Sequence, residues 1–106
     1  MQKYLLQASY TAEGAKGLLK DGGSKRRAAA KTLVESLGGK IDCFYFAFGK
    51  TDVFAVVDLP DSVSAAAASL TIGASGAVAG RVTVLLTPEE IDQAAKKSTK
   101  YTPPGK

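Results

Sequence analysis

Histidine is absent from the chain and cysteine occurs once, at Cys43. The residues that build zinc sites, haem sites, Ser-His-Asp triads and Cys-His pairs are therefore missing. Chemistry would fall to Tyr, Asp, Glu, Lys or Arg, and the sequence offers Tyr10, Tyr45, Lys50 and Asp52, with Tyr4 also in a strand pattern. A tyrosine hydroxyl beside a cation can stabilise enolate-like charge, and a buried Asp52 can act as a base. Tyr45 and Asp52 are thus the candidate catalytic residues. A structural reading of both is preferred. In an apolar strand Tyr45 belongs to the core or to an interface, with its hydroxyl bound locally. Asp52, after a glycine-containing turn, holds nearby backbone amides. Neither a cofactor nor a metal is expected.

A second candidate is Gly22-Gly23-Ser24-Lys25-Arg26-Arg27, a glycine loop entering a helix. Backbone N–H groups and the side chains of Ser24, Lys25, Arg26 and Arg27 could hold an anion there. The pattern departs from the phosphate loop, because the upstream glycine is Gly17 and no Gly-Lys-Ser/Thr follows. A solvated basic helix start is the simpler reading. Cations nevertheless oppose the helix dipole at an N-terminus, which keeps an anionic partner in view.

The net charge of +4 does not reinforce that partner. Lys96, Lys97, Lys100 and Lys106 lie in a stretch without acids, and removing these four from 14 basic residues leaves 10 against 10 acidic ones. The basicity belongs to a tail, so nucleic-acid binding through Lys25, Arg26, Arg27, Lys31 and that tail is a lesser alternative. No aromatic residue stands in the basic helix segment for base stacking.

These side chains must be positioned by the stretch 40 to 59, KIDCFYFAFGKTDVFAVVDL, around which the chain is organised. Two runs rich in aromatic and β-branched residues flank Gly49-Lys50-Thr51-Asp52, as in a β-hairpin. Neither run has a polar face, the pattern of a sheet covered on both sides. With 106 residues, helices can cover one face and hardly both. The second face is expected to meet another subunit. Cys43, inside the first run, reads as a small core residue.

Before the hairpin, residues 2 to 10 alternate Tyr4, Leu6, Ala8 and Tyr10 with Lys3, Leu5, Gln7 and Ser9, giving a first strand. Thr11 caps a short helix with Ala12, Ala15, Leu18 and Leu19 on one side, stopped at Asp21-Gly22-Gly23. Ser24 then caps a helix whose stripe is Ala30, Leu33, Val34 and Leu37, with Gly38-Gly39 as its exit. After the hairpin, Pro60 ends a strand and Asp61 caps a helix expected to bury Val63, Ala66, Ala67 and Leu70. Residues 73 to 80 read as a loose connection and 81 to 87 as the last strand. Thr87-Pro88-Glu89-Glu90 is a capping-box start to a terminal helix with Ile91, Ala94 and Ala95 on its apolar side. The order is that of a ferredoxin-like α+β fold, β-α-β-β-α-β plus a C-terminal helix. It has a four-stranded antiparallel sheet and helices on one face. The reading gives one domain, 1 to 95, and a flexible Lys/Pro-containing tail, 96 to 106. The uncharged stretch 62 to 80 is too weakly apolar to span a membrane, and the N-terminus lacks signal-peptide character, so the expected location is cytoplasmic.

In this order stand Tyr10-Thr11-x-x-Gly14, Gly38-Gly39, Phe44-Tyr45-x-x-x-Gly49-x-x-Asp52 and Pro60-Asp61. Over most of residues 3 to 95 the sequence resembles the GYD domain proteins, small bacterial proteins of ferredoxin-like fold. Their namesake Gly-x-Tyr-Asp turn appears here as Gly49-Lys50-Thr51-Asp52, with Thr51 in place of Tyr. The resemblance implies the fold and an oligomer of dimeric α/β barrel type. It supplies no reaction. Its motif residues Tyr10, Thr11, Gly14, Tyr45, Gly49 and Asp52 are the candidate ligand-binding residues. The expectation is a homodimer or higher oligomer that binds a small molecule or serves in assembly without catalysis. A cofactor-free enzyme acting on a small organic substrate is the alternative.

Overall fold

The first strand, β1 (Gln2–Tyr10), runs through the middle of the sheet. The computed structural model describes all 106 residues. After β1 come α1 (Ala12–Asp21), α2 (Gly23–Ser36), β2 (Lys40–Phe46), β3 (Val53–Leu59), α3 (Ser62–Ala74), β4 (Val78–Leu85) and α4 (Pro88–Ala95). This is an α+β chain with four helices and one four-stranded antiparallel sheet, in the order β2-β3-β1-β4.

Strand register sorts the side chains into two faces. Tyr4 pairs with Val57, Leu6 with Ala55 and Ala8 with Val53, and all point to one side. On that side Tyr4, Ala55, Val57 and Leu59 form a buried cluster with Val34 of α2 and Ala65 of α3. Leu37, Ile41, Phe44 and Val82 pack around it. Full burial of Val57 and Leu59 contributes about 1.5–3 kcal/mol each. Phe44 and Phe46 meet edge to face with centroids 5.3 Å apart. The ring of Phe46 reaches back to the start of α2, where a β-carbon on Gly23 would lie 3.0 Å from it. An apolar pocket of about 80 Å³ remains within this layer, with Ala8, Ala30, Ala55 and Ala68 among its walls.

The opposite face belongs to Lys3, Leu5, Gln7 and Ser9 of β1, Phe54, Val56 and Asp58 of β3, Cys43 and Tyr45 of β2, and Arg81, Thr83 and Leu85 of β4. Tyr45 is 67% exposed and Phe54 36%. A shift in register between Ile41 and Cys43 keeps Phe44 on the core face and Cys43 beside Val56. Cys43 is therefore half-buried on the open face rather than in the core.

Helix starts follow their caps. The side chains of Thr11, Asp61 and Thr87 accept from the backbone N–H of Gly14, Ser64 and Glu90, and the Thr87–Glu90 capping box closes reciprocally. Four expectations are corrected. Ser24 lies inside α2, whose cap is Gly22 at φ 82°. In α1 only Gly14 is buried, and Leu19 is 87% exposed. In α3 the buried residues are Ala65 and Ala68, whereas Val63 and Leu70 are 78% and 74% exposed. Small alanines let α3 approach the sheet closely, and that sets the rotation of the helix. The last strand begins at Val78, so Gly80 is part of the sheet.

From Ile91 to Lys106 every residue is exposed, and α4 buries none of its side chains. A single compact body of this length has a radius of gyration near 13 Å. The observed 16.9 Å, with a long axis of 57 Å, reflects a C-terminal arm standing off the body.

Two glycines of α1 give opposite expectations. A β-carbon on Gly14 would lie 1.9 Å from the carbonyl oxygen of Ala77, whereas one on Gly17 would meet nothing within 4 Å. Gly14→Ala is expected to destabilise the fold by about 1–3 kcal/mol or more. Gly17→Ala is expected to stabilise it by about 0.5–1 kcal/mol. Urea denaturation of the two variants checks both signs.

Candidate functional site

The motif residues gather at the end of the sheet where β1 leaves and β3 enters. The loop 47 to 52 is closed by the Ala47 N–H donating to the Asp52 carbonyl at 2.7 Å. The Asp52 N–H donates to the Ala8 carbonyl at 2.9 Å, and the Tyr10 N–H donates to Asp52 Oδ2 at 2.8 Å. Asp52 thus extends the β1–β3 ladder by one more pair through its side chain. Thr11 caps α1 and also donates from Oγ1 to the Gly76 carbonyl at 2.8 Å, while its N–H reaches the Ala77 carbonyl at 2.9 Å. Gly14 provides the close approach to Ala77. Gly49 has φ 127°, a backbone conformation that favours glycine.

Tyr10, Thr11, Gly14 and Asp52 are accordingly brought together, each with an architectural contact. Tyr45 is not among them, because it pairs with Phe54 on the open face, whereas Tyr10 lies on the helix side against Gly14. The basic segment divides in the same way. Lys25 Nζ and an Arg26 nitrogen lie 3.5 Å and 3.7 Å from the carboxylate of Asp21, so both are engaged within the α1–α2 corner. Ser24 and Arg27 instead face an open groove of about 670 Å³ between α2 and β2, together with Lys31, Glu35, Lys40 and Asp42. The groove carries three cations, Arg27, Lys31 and Lys40, against the two carboxylates.

Two features of the open face escaped the sequence reading. At one end Lys3 bridges the carboxylates of Asp42 and Asp58, the latter at 3.0 Å, with Lys40 3.9 Å from Asp58. Asp58 is only 5% exposed, so its charge is held among these cations. The hydrogen bonds that Lys3 donates to Asp42 and then to Asp58 raise its own pKa, and the bond from Lys3 lowers that of Asp42. At the other end a small polar cavity of about 200 Å³ lies beside Lys50, Thr51 and Arg81. No sequence pattern links these residues, which become neighbours only through strand register. No group of three or more Cys, Asp and Glu side chains is placed to hold a metal ion. No helix is long and apolar enough to cross a membrane.

This architecture, a four-stranded antiparallel sheet joined to four helices with Thr11 and Asp52 tying its strand ends, defines the class as a small α+β domain. The family model of the GYD domain matches residues 4–95, and the chain belongs to that family. Comparison with curated proteins returns no match, and neither does comparison with solved structures.

Removal of the Asp52 carboxylate leaves the Tyr10 N–H without its partner. Asp52→Ala is expected to cost about 1–3 kcal/mol and Asp52→Asn distinctly less, as measured by chemical denaturation. The titrations also have a fixed sign. The carboxyls of Asp42, through Lys3, and Asp61, through the Ser64 N–H, are held below their ordinary value of 3.8. Their contribution is present above that pH and lost as pH falls through the lowered value. The contribution of Lys3, raised above 10.5, is lost only in stronger alkali. Asp61→Asn, which keeps a cap acceptor without the charge, is expected to make the acid limb of a stability–pH curve shallower.

Proposed function

We propose that this GYD-domain protein is a homo-oligomer of ferredoxin-like subunits that acts without catalysis, binding a small molecule or serving in assembly. The strand order β2-β3-β1-β4 is the one a split β-α-β arrangement produces, which supports that fold name. The observation that carries the reading is the open face of the sheet. It presents Leu5, Tyr45, Phe54, Val56 and Leu85, and its Lys and Asp charges at one end are paired within the chain. A second copy can cover the apolar middle of such a face and its Lys3–Asp58 end without trapping an unpaired charge there.

The arm supports the same partner. Four strands about 4.8 Å apart and seven residues long span roughly 450 Å² in projection, short of the roughly 800 Å² per partner of a standard interface. The arm, with Leu86 and Ile91 54% and 51% exposed, supplies further apolar area if it lies on the second copy. Catalysis is the weaker reading because Asp52 is committed to the Tyr10 N–H and Tyr45 stands apart from it.

The full chain is expected to sediment as a dimer or larger assembly at micromolar concentration. Phe54→Asp and Ile91→Asp are each expected to weaken association by roughly tenfold or more, since each places a charge in a buried apolar contact. A wild-type monomer overturns the proposal. Native mass spectrometry of the assembly separates the two roles, a defined extra mass indicating a bound molecule and bare protein an assembly role.

A further inference from the structure

The cavity at the Lys50 end of the open face brings two cations from separate parts of the chain to one wall. Its charged lining is Lys50 and Arg81, and no acidic side chain faces it. Elsewhere Lys3, Lys16, Lys25, Arg26 and Lys40 each lie within 4.0 Å of a carboxylate. Lys50 and Arg81 have no such partner, although they come from the β2–β3 loop and β4 and meet only through the fold.

The guanidinium of Arg81 and the backbone beside Lys50 are each tied to β1. The Arg81 Nε donates to Gln7 Oε1 at 2.9 Å, which orients the guanidinium and leaves its two Nη groups without protein acceptors. The Ser9 hydroxyl donates to the Lys50 carbonyl at 2.5 Å, which fixes the loop that carries the ammonium. Thr51 adds a hydroxyl to the same wall, and Ala79 and Gly80 leave the floor low. A volume of about 200 Å³ admits a carboxylate or phosphate group with several attached atoms. An orienting acceptor on Nε with free Nη donors is suited to an oxyanion, which guanidinium binds by charge-assisted hydrogen bonds.

The surface next to the cavity is apolar. Gln7 pairs with Phe54 across β3, and Leu5, one step further along the same face, pairs with Val56. We propose that the cavity is an oxyanion site for a small amphiphilic organic acid. Lys50 and the Arg81 guanidinium take its carboxylate or phosphate, and its apolar body lies along Leu5, Phe54 and Val56. The inference deepens the small-molecule half of the proposed function and needs only one subunit. A second copy on the open face would enclose the body of the ligand.

The test is an amide NMR titration of the full chain with two probes, octanoate and inorganic phosphate. Sedimentation of the same samples reads the oligomer separately, so loss of the site and loss of association are distinguishable. The expected result is saturable shifts at residues 7 to 9, 50, 51 and 79 to 81 with either probe, and at Leu5, Phe54 and Val56 with octanoate alone. Lys50→Gln and Arg81→Gln are each expected to weaken binding roughly tenfold or more, the effect of losing a charge-assisted hydrogen bond, with the oligomer unchanged. Arg27→Gln, in the groove between α2 and β2, is expected to leave binding unaltered. Shifts spread over all lysine and arginine segments, or binding untouched by Lys50→Gln and Arg81→Gln, would overturn the oxyanion site. Tight phosphate binding with no octanoate effect at Leu5, Phe54 and Val56 would overturn the amphiphile.

Discussion

A sheet has two faces, and a chain this short supplies enough helix for one. Val53, Ala55, Val57 and Leu59 are buried on the helix side of β3, and the molecule is built to cover them. The helices α2 and α3 contribute Val34, Ala65 and Ala68 to that cover. The other side of the same strand carries Phe54, Val56 and Asp58 and depends on what the chain can do without another layer. Part of the answer is internal, since Lys3 and Lys40 neutralise the buried Asp58. The apolar remainder stays open.

The GYD signature has a clear physical role within this constraint. The ends of β1 and β3 must be fixed where the sheet gives way to loops, and backbone groups there would otherwise go unpaired. The Asp52 carboxylate receives the Tyr10 N–H, Thr11 closes α1 and reaches toward β4, and Gly14 allows that approach. Once the frame is fixed, the side chains of the neighbouring Lys50 and Thr51 carry no hydrogen bond within the chain and line the cavity with Arg81. The loop therefore combines in a single turn a residue whose side chain is tied to the frame with residues whose side chains are not.

How much could be read from the sequence follows the same division. Caps at Thr11, Asp61 and Thr87 were legible because capping is a local chemical act, decided within three or four residues. The hairpin and the family motif were legible from aromatic alternation and glycine spacing. The rotation of α3 was not, because a run of alanines offers no contrast between faces and the sheet alone decides which alanines it accepts. Ser24 looked like a cap, but Gly22 could turn the chain one step earlier with a positive φ. The Lys3–Asp42–Asp58 cluster and the Lys50–Arg81 cavity were invisible for a different reason. Their members come from separate strands or, for Lys50, from a loop, and only the folded sheet makes them neighbours.

Small side chains from four elements, Ala8, Ala30, Ala55 and Ala68, stand among the walls of the apolar pocket between helices and sheet. Such space exists only while the chain is folded. Unfolding collapses it into solvent, so the folded form occupies the larger volume of the two. The molecule thereby acquires a sensitivity to hydrostatic pressure that its hydrogen bonds and ion pairs would not reveal, seated in the layer between the sheet and the helices α2 and α3.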